Sequence, residues 1–395
     1  MYGGVFAFNR ESDVMKILYV SGMYPTPKFP QKGIFSHEQV KALKKRGVDI
    51  DVVVPYTFYD REIESEYWDY EGVNIRYIKY FKIPGTADFH RSGKALFHSL
   101  NRNLDLESYD IYHADAALPV GQAVMYAAKK YNKKYIIHGH GLDVFLDVSY
   151  KDKKNCNKIV DASKEVYANA DAFIGVSQKV VDNVLERLDI SGKTYVAYNG
   201  VDVENFYPET HENEKIQIIS VGNLIPLKGH DYTLRALKVL NDKYPNKFCM
   251  KLLGRGYLEQ NLKDLALELG LDDIVEFVGY IPYDKLASEV RKGDIFVLPS
   301  YYEALGCVYL EAMACGLPSV GCKNNGIDEI IEDGVDGFLI DVKNVDQIVE
   351  SAEKLMDNNV RSEMAKKARA KVESNYTWDA SAKVVEDIYR KLFTV

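Results

Sequence analysis

No stretch of the sequence approaches ~18 uninterrupted apolar residues, so none is long enough to cross a bilayer as a helix. Near Met1 there is no basic run followed by an apolar core, so the pattern of a secretory signal is missing as well. A cytoplasmic location is expected. Cysteine is scarce and odd in number: Cys156, Cys249, Cys307, Cys315 and Cys322 are scattered without pairing or metal-ligand spacing, which suits reduced thiols and indicates no metal site. Positive charge is in deficit, and the net charge of −8 argues against general nucleic-acid binding. Short repeats and low-complexity tracts are absent, which sets aside solenoids and disordered linkers. The remainder, 47% hydrophobic and 27% charged, has the composition of a folded globular protein.

At 395 residues the chain is too long for one ordinary core, and ~150 residues per domain points to two units. Residues 1–14 show no clear period and read as an N-terminal extension. Met15-Lys-Ile-Leu-Tyr-Val20 then opens like the first strand of a Rossmann-type sheet. Apolar, β-branched runs follow at 49–54, 111–113, 135–137, 172–176 and 195–198, with helical segments such as 36–46 and 117–131 between them. The pattern restarts at Ile216-Gln-Ile-Ile-Ser-Val-Gly222, with helices near 231–244 and 257–269 and strands at 248–253, 274–278 and 295–298. The polar segment 204–215, with Pro208, separates the two cycles and gives domains over 15–205 and 206–375. Such alternation predicts an α/β protein of two doubly wound Rossmann-like domains, with a ligand cleft where the carboxyl ends of their strands face each other.

The densest chemistry lies in Pro299-Ser-Tyr-Tyr-Glu-Ala-Leu-Gly-Cys-Val-Tyr-Leu-Glu-Ala-Met-Ala-Cys-Gly316, where Glu303 and Glu311 stand eight positions apart. The strand 295–298 ends at Pro299 and Ser300, which puts Glu303 on a loop and Glu311 inside the short helix that Gly316 ends. Gly306 starts that helix, where unpaired N–H groups and the positive dipole end suit a phosphate. The small residues Ala304, Gly306, Ala312, Ala314 and Gly316 imply close approach of backbone to something. Two carboxylates beside an anion cradle match a nucleotide sugar, which offers hydroxyls to acids and a diphosphate to amides. Cys307 and Cys315 read as small packing residues.

Other loops emerge at the same edge. Val221-Gly-Asn-Leu-Ile-Pro-Leu-Lys-Gly-His-Asp231 places Lys228 beside Gly229 just before a helix, where its ammonium can meet a diphosphate. His138-Gly-His-Gly-Leu-Asp143 follows a strand of the first domain and concentrates polar groups on a flexible turn. The proline-stiffened loop Tyr24 to Glu38 carries Gly33 ahead of the first helix, which would let backbone approach a ligand. Leu253-Gly-Arg-Gly-Tyr257 lacks the spacing of a dinucleotide fingerprint and reads as a turn. Gly279-Tyr-Ile-Pro-Tyr283 offers irregular apolar backbone around Ile281 for a nucleobase edge, and Asp49-Ile-Asp51 opens a strand and reads as structural.

The run from Glu303 to Gly316 resembles the Glu-x7-Glu signature of the retaining glycosyltransferases of family 4, which share the GT-B fold. Asn199-Gly-Val-Asp-Val-Glu-Asn-Phe-Tyr-Pro208, Val221 to Gly229 and Val278 to Leu286 agree with that family in order and spacing. The resemblance implies that Glu311 holds the ribose hydroxyls and that Glu303 contacts the transferred sugar near its 3-hydroxyl. It implies that Lys228 binds the diphosphate, that the amides of Leu305, Gly306 and Cys307 bind the distal phosphate, and that Gly33 faces the phosphates from the first domain. His140 would orient the sugar, and Ile281 would meet the base. It implies a nucleotide-diphosphate sugar as donor, a UDP-sugar rather than a GDP-sugar, no required cofactor or metal, and a C-terminal helix over 376–395 packed back on the first domain. Two departures stand out: Asn223 occupies the place of an arginine, so a hydrogen-bond donor replaces a charge, and Glu-Gly-Phe-Gly is here Glu303-Ala-Leu-Gly306, whose Ala304 methyl would narrow the sugar pocket.

The expected acceptor is a glycan or lipid-linked sugar in polysaccharide or glycolipid synthesis. Between Arg76 and Arg102 the basic residues Arg76, Lys79, Lys82, Arg91, Lys94 and Arg102 meet one acid, Asp88, and alternate with Tyr77, Tyr80, Phe81, Phe89 and Phe97. Such a patch suits an anionic membrane surface, hence a peripheral position on the inner face of the plasma membrane. Two alternatives share the fold: an epimerase of nucleotide sugars, and a nucleotide-sugar-binding protein without turnover.

Overall fold

The computed structural model describes residues 15–83, 88–141, 143–145, 155–210 and 213–394. The expected extension over 1–14 and part of the basic-aromatic stretch lie outside them. Among the described residues an eight-stranded sheet comes first: β1 (Lys16–Ser21), β2 (Asp49–Tyr56), β3 (Tyr67–Tyr70), β4 (Val73–Lys79), β5 (Ile111–Asp115), β6 (Lys134–Gly139), β7 (Ala172–Gly175) and β8 (Thr194–Val196). Its order is β3-β4-β2-β1-β5-β6-β7-β8, parallel except for the β3–β4 pair. The helices connecting it are α1 (Ile34–Lys45), α2 (Ser92–Asn103), α3 (Gln122–Tyr131), α4 (Cys156–Asn169) and α5 (Gln178–Leu185).

The second sheet, β9 (Ile216–Val221), β10 (Phe248–Leu253), β11 (Val275–Gly279), β12 (Ile295–Val297), β13 (Ser319–Cys322) and β14 (Gly337–Ile340), is wholly parallel in the order β11-β10-β9-β12-β13-β14. Its helices are α6 (His230–Lys243), α7 (Glu259–Glu268), α8 (Tyr283–Val290), α9 (Cys307–Ala314), α10 (Val345–Lys354) and α11 (Asn358–Asn375). The strands are runs of buried Ile, Val, Leu and Phe because helices cover both faces, so no alternation is needed. In each sheet the order reverses once, between β1 and β5 and between β9 and β12. The loops that leave those strands frame a crevice.

Two stretches depart from the sequence reading. Residues 117–121 form a wide turn ahead of α3, because Ala116 takes φ 91, Leu118 is extended and Pro119 cannot donate; the helix expected over 117–131 therefore starts at Gln122. The β3–β4 hairpin was not expected, and the end of β4 overlaps the basic-aromatic stretch: β4 buries Val73, Ile75, Tyr77 and Ile78, while Lys79 is exposed and Arg76 half-buried.

α12 (Trp378–Phe393) returns to the first sheet. Its buried stripe of Ala382, Val385, Ile388 and Tyr389 joins the core beneath β1 and β2, and Arg46, just past α1, reaches Glu386 at 2.7 Å and Asp379 at 3.0 Å. Arg369 of α11 donates to the carbonyls of Ala314 at 2.7 Å and Val203 at 3.0 Å, pinning the crossover between the sheets.

Candidate active site

The loop after β12 is held from below. Buried Asn325 accepts from the Glu303 N–H at 3.0 Å and donates to the Ser300 carbonyl at 2.9 Å, while the Tyr309 hydroxyl donates to the Leu298 carbonyl. Gly306 caps α9 with φ 84, a conformation a side chain resists, and a Cβ there would lie 2.7 Å from the Tyr309 ring. The loop therefore delivers Glu303 and the first N–H groups of α9 to one spot. On the neighbouring β9 loop, Gly229 at φ 67 passes so close to Pro299 that a Cβ would sit 2.4 Å from its carbonyl oxygen. That approach brings Lys228 to Glu303, and their side chains form a direct ion pair.

The first domain supplies the other wall. His140, just beyond β6, has its Nε2 3.0 Å from Asp115 Oδ1 at the end of β5, and its ring lies 4.7 Å from that of Phe35 on α1. The Ser177 hydroxyl donates to the Ala304 carbonyl at 2.5 Å, and Asn199 Nδ2 lies 3.3 Å from Cys307 Sγ. Glu329 of the second domain accepts from the N–H groups of Gln178 and Lys179 at the start of α5, both at 2.7 Å, and from the Tyr198 hydroxyl at 3.0 Å. The walls enclose a cavity of about 210 Å³ lined by Phe35, His140, Val176, Asn199, Lys228 and residues 303–308.

Of the residues expected at the site, His140, Lys228, Glu303, Leu305, Gly306 and Cys307 line this one cavity. Ala304 lines it too, and its methyl abuts Gly141, where a Cβ would come within 2.7 Å. Gly33 is not on the lining. It starts α1 with φ 62, and a Cβ there would lie 2.1 Å from the Met23 carbonyl, so the close approach that requires glycine is to its own loop, and Phe35 takes the position on the cavity. Asn223 and Ile281 lie outside the lining as well, Asn223 exposed and Ile281 half-buried. The turn at 254–257 packs along the β9 loop, Leu224 donating to the Arg255 carbonyl at 2.9 Å and Leu258 to the Leu224 carbonyl at 3.1 Å. Arg76 pairs with Glu66 and Arg91 with Asp88, whereas Lys79 lies 3.9 Å over the Phe58 ring and Lys82 4.7 Å over Phe89; Lys94 is exposed on α2.

Glu311 sits one helical turn behind the cavity, buried beside Tyr283. Burial pushes its carboxyl up to about 7, against the opposing hydrogen bond from Tyr283. Asp115 is the reverse case. Burial opposes its charge too, but His140 outweighs that and holds the carboxyl well below the usual range. The same partnership raises His140 against its own burial, while burial lowers His113 to about 4.

Phe35, Asp115, Ser177 and Asn325 were not singled out by sequence, and Asn199 only as the start of the 199–208 segment. Asp115 had a faint signal as an acid ending a buried strand. The others are brought in by packing alone.

Two profiles tile the chain: one for Glycosyltransferase Family 4 matches residues 33–205, and one for Glycosyl transferases group 1 matches residues 203–372. The chain belongs to glycosyltransferase family 4. Over 380 residues it is 28% identical to an uncharacterized glycosyltransferase of Methanocaldococcus jannaschii, covering 96% of this chain and 99% of that one. A sucrose-phosphate synthase from Thermosynechococcus elongatus superposes with TM-score 0.81 at 19% identity over 96% of this chain and 99% of its own. Anabaena HepE in complex with UDP gives 0.72 at 18% identity over 95% of this chain and all of its own. The family 4 glycosyltransferase described here thus has the GT-B fold, with its cavity between the two sheets. No helix among the described residues is long and apolar enough to cross a membrane.

Proposed function

We propose that this glycosyltransferase moves a sugar, with retention of configuration, from a nucleotide-diphosphate sugar to a glycan or lipid-linked acceptor. The observation that carries the reading is the Lys228–Glu303 ion pair above the Gly306 end of α9, within the interdomain cavity. Without ligand the two side chains satisfy each other. A donor gives each a better partner, the diphosphate for Lys228 and the sugar hydroxyls for Glu303. As the anomeric carbon–oxygen bond breaks, negative charge grows on the diphosphate, and a fixed ammonium with helix N–H groups stabilises it more than the ground state. In this reading that countercharge comes from the chain rather than from a metal. The acceptor oxygen bonds to the anomeric carbon on the face the diphosphate leaves, and its proton passes to a leaving phosphate oxygen. Glu311, one turn along α9, takes the ribose diol instead of acting as a second carboxylate at the scissile bond, unlike the paired acids of retaining hydrolases.

A UDP-sugar is the donor we favour, supported by the neighbour of the same fold in complex with UDP. A thermal-shift screen of uridine, guanosine and adenosine diphosphate sugars tests this, because a bound donor raises apparent stability by mass action. One uridine donor should stand out; no shift with any nucleotide sugar would overturn the reading. Incubation with donor alone should yield at most slow hydrolysis, whereas interconversion of the sugar would mark an epimerase.

The acceptor side is read from the rim beyond β2 and β4. Phe58, Tyr59 and Phe81 are each more than 60% exposed there, next to Lys79 and Lys82. Exposed aromatic rings among lysines suit the interface of an anionic bilayer carrying a lipid-linked acceptor. Cosedimentation with anionic vesicles should be lost on charge reversal of Lys79, Lys82 and Lys94, and absence of binding by the wild type would remove the membrane from the reading.

A further inference from the structure

Beneath His140 lies a cluster of buried polar side chains that transfer chemistry does not use. His113 and Asp115 are two apart on β5, and His138 is the register partner of Asp115 on β6, so the three side chains share one face of the sheet. All are buried: His113 and His138 are 0% exposed and Asp115 5%. One ligand atom from each lies within 4.8 Å of the others.

The hydrogen bonding divides these atoms into two sets. His113 Nδ1 is engaged by the Tyr389 hydroxyl of α12 at 2.6 Å, and Asp115 Oδ1 by the Tyr19 hydroxyl at 2.6 Å and His140 Nε2 at 3.0 Å. Among the described residues His113 Nε2, Asp115 Oδ2 and both ring nitrogens of His138 have no partner. Leaving one such buried group unpaired costs about 1–3 kcal/mol, and four belong to these three residues. An imidazole held by a hydrogen bond at one nitrogen and free at the other, beside a carboxylate held at one oxygen and free at the other, is the arrangement that orients metal ligands.

We propose that His113, Asp115 and His138 bind a divalent transition-metal ion of the zinc class. Two imidazoles and one carboxylate suit such an ion, with a fourth position left for water. Ligand bonds of about 2.0–2.2 Å require the three groups to draw together somewhat from the spacing seen here. The ion takes no part in the transfer. It satisfies three of the four orphaned atoms, one from each residue, ties β5 to β6, and through Asp115 fixes the ring of His140 at the cavity, which makes Asp115 a positioning residue.

The test uses the full chain without an affinity tag. Dialysis against a chelator followed by cobalt(II) titration should give a saturating visible absorption spectrum at one ion per chain. Elemental analysis of protein purified without chelator should find one zinc-class ion per chain, and removing it should lower the midpoint of thermal unfolding. His138→Asn should weaken cobalt binding at least ~10-fold, while His230→Asn, a buried histidine in the other domain, should leave it unchanged. If His138→Asn does not fold, the spectrum and the metal-dependent midpoint of the wild type still decide. Folded wild type that shows neither a cobalt spectrum nor a metal-dependent midpoint would overturn the site, as would a folded His138→Asn that binds as the wild type does.

Discussion

The two walls of the cavity each bury a carboxyl, and they treat it in opposite ways. On the first wall Asp115 lies among three histidines and a tyrosine and stays ionised; on the second, Glu311 has Tyr283 beside it and no ion-pair partner among the described residues, and burial lifts it to about 7. Burial alone does not set the charge of an acid. The partners that arrive with it do. The first wall gathers polar partners around Asp115, whereas on the second Glu311 meets only the Tyr283 hydroxyl, and Lys228 and Glu303 of that wall pair with each other.

The largest effect that sharpens this contrast comes from Glu311→Gln. The folded carboxyl titrates near 7 against an ordinary 4.5, so the native state holds a proton that the unfolded chain has lost between those values. Stability from this group is complete below pH 4.5 and is lost as pH rises through 7, amounting to about 3 kcal/mol by pH 8. Denaturant unfolding should show Glu311→Gln gaining up to that amount over wild type at pH 8 and little at pH 5, while its donor affinity falls. An equal effect at both pH values would mean that Glu311 is already ionised in the free protein. For the wild type, donor affinity should rise with pH through this range, since the ribose hydroxyls need a carboxylate acceptor.

Next come Lys228→Ala and Glu303→Ala, each expected to lower kcat/KM more than tenfold, or at least ~1.4 kcal/mol of transition-state stabilisation. The two should be non-additive in stability, because each single variant strands the other's charge. Wild-type turnover in both would break the assignment of the second wall. The smallest effect belongs to the seam. Ser177→Ala removes the hydroxyl that caps α5 and reaches across to the Ala304 carbonyl, and should lower stability by about 1 kcal/mol in urea unfolding.

The walls also differ in how legible they were. The second announced itself: Glu303, Gly306 and Glu311 lie within nine residues of one strand–loop–helix, so local spacing was enough to bring them together, and Lys228 beside Gly229 repeated the device on the next strand. The first did so only through His140. Asp115 and Phe35 come from two other connections of the sheet, and only the β1–β5–β6 order brings the three together. Gly33 shows a related dependence on packing. A glycine before a helix signals close approach, but which group approaches is a tertiary fact, here the Met23 carbonyl. The β3–β4 hairpin was not expected because the end of β4 overlaps the basic-aromatic stretch, which drew the reading toward the surface.

The order of elements, the restart at Ile216 and the loop that carries Glu303 and Gly306 follow from short-range patterning, since hydrophobic period and glycine placement act over a turn or a strand. The charge state of each buried acid, the pairing of Lys228 with Glu303, the return of Tyr389 to His113 and the convergence of His113, Asp115 and His138 depend on which segments pack together. Those pairings link residues up to 276 positions apart, where sequence spacing carries no distance and only the folded sheet order does.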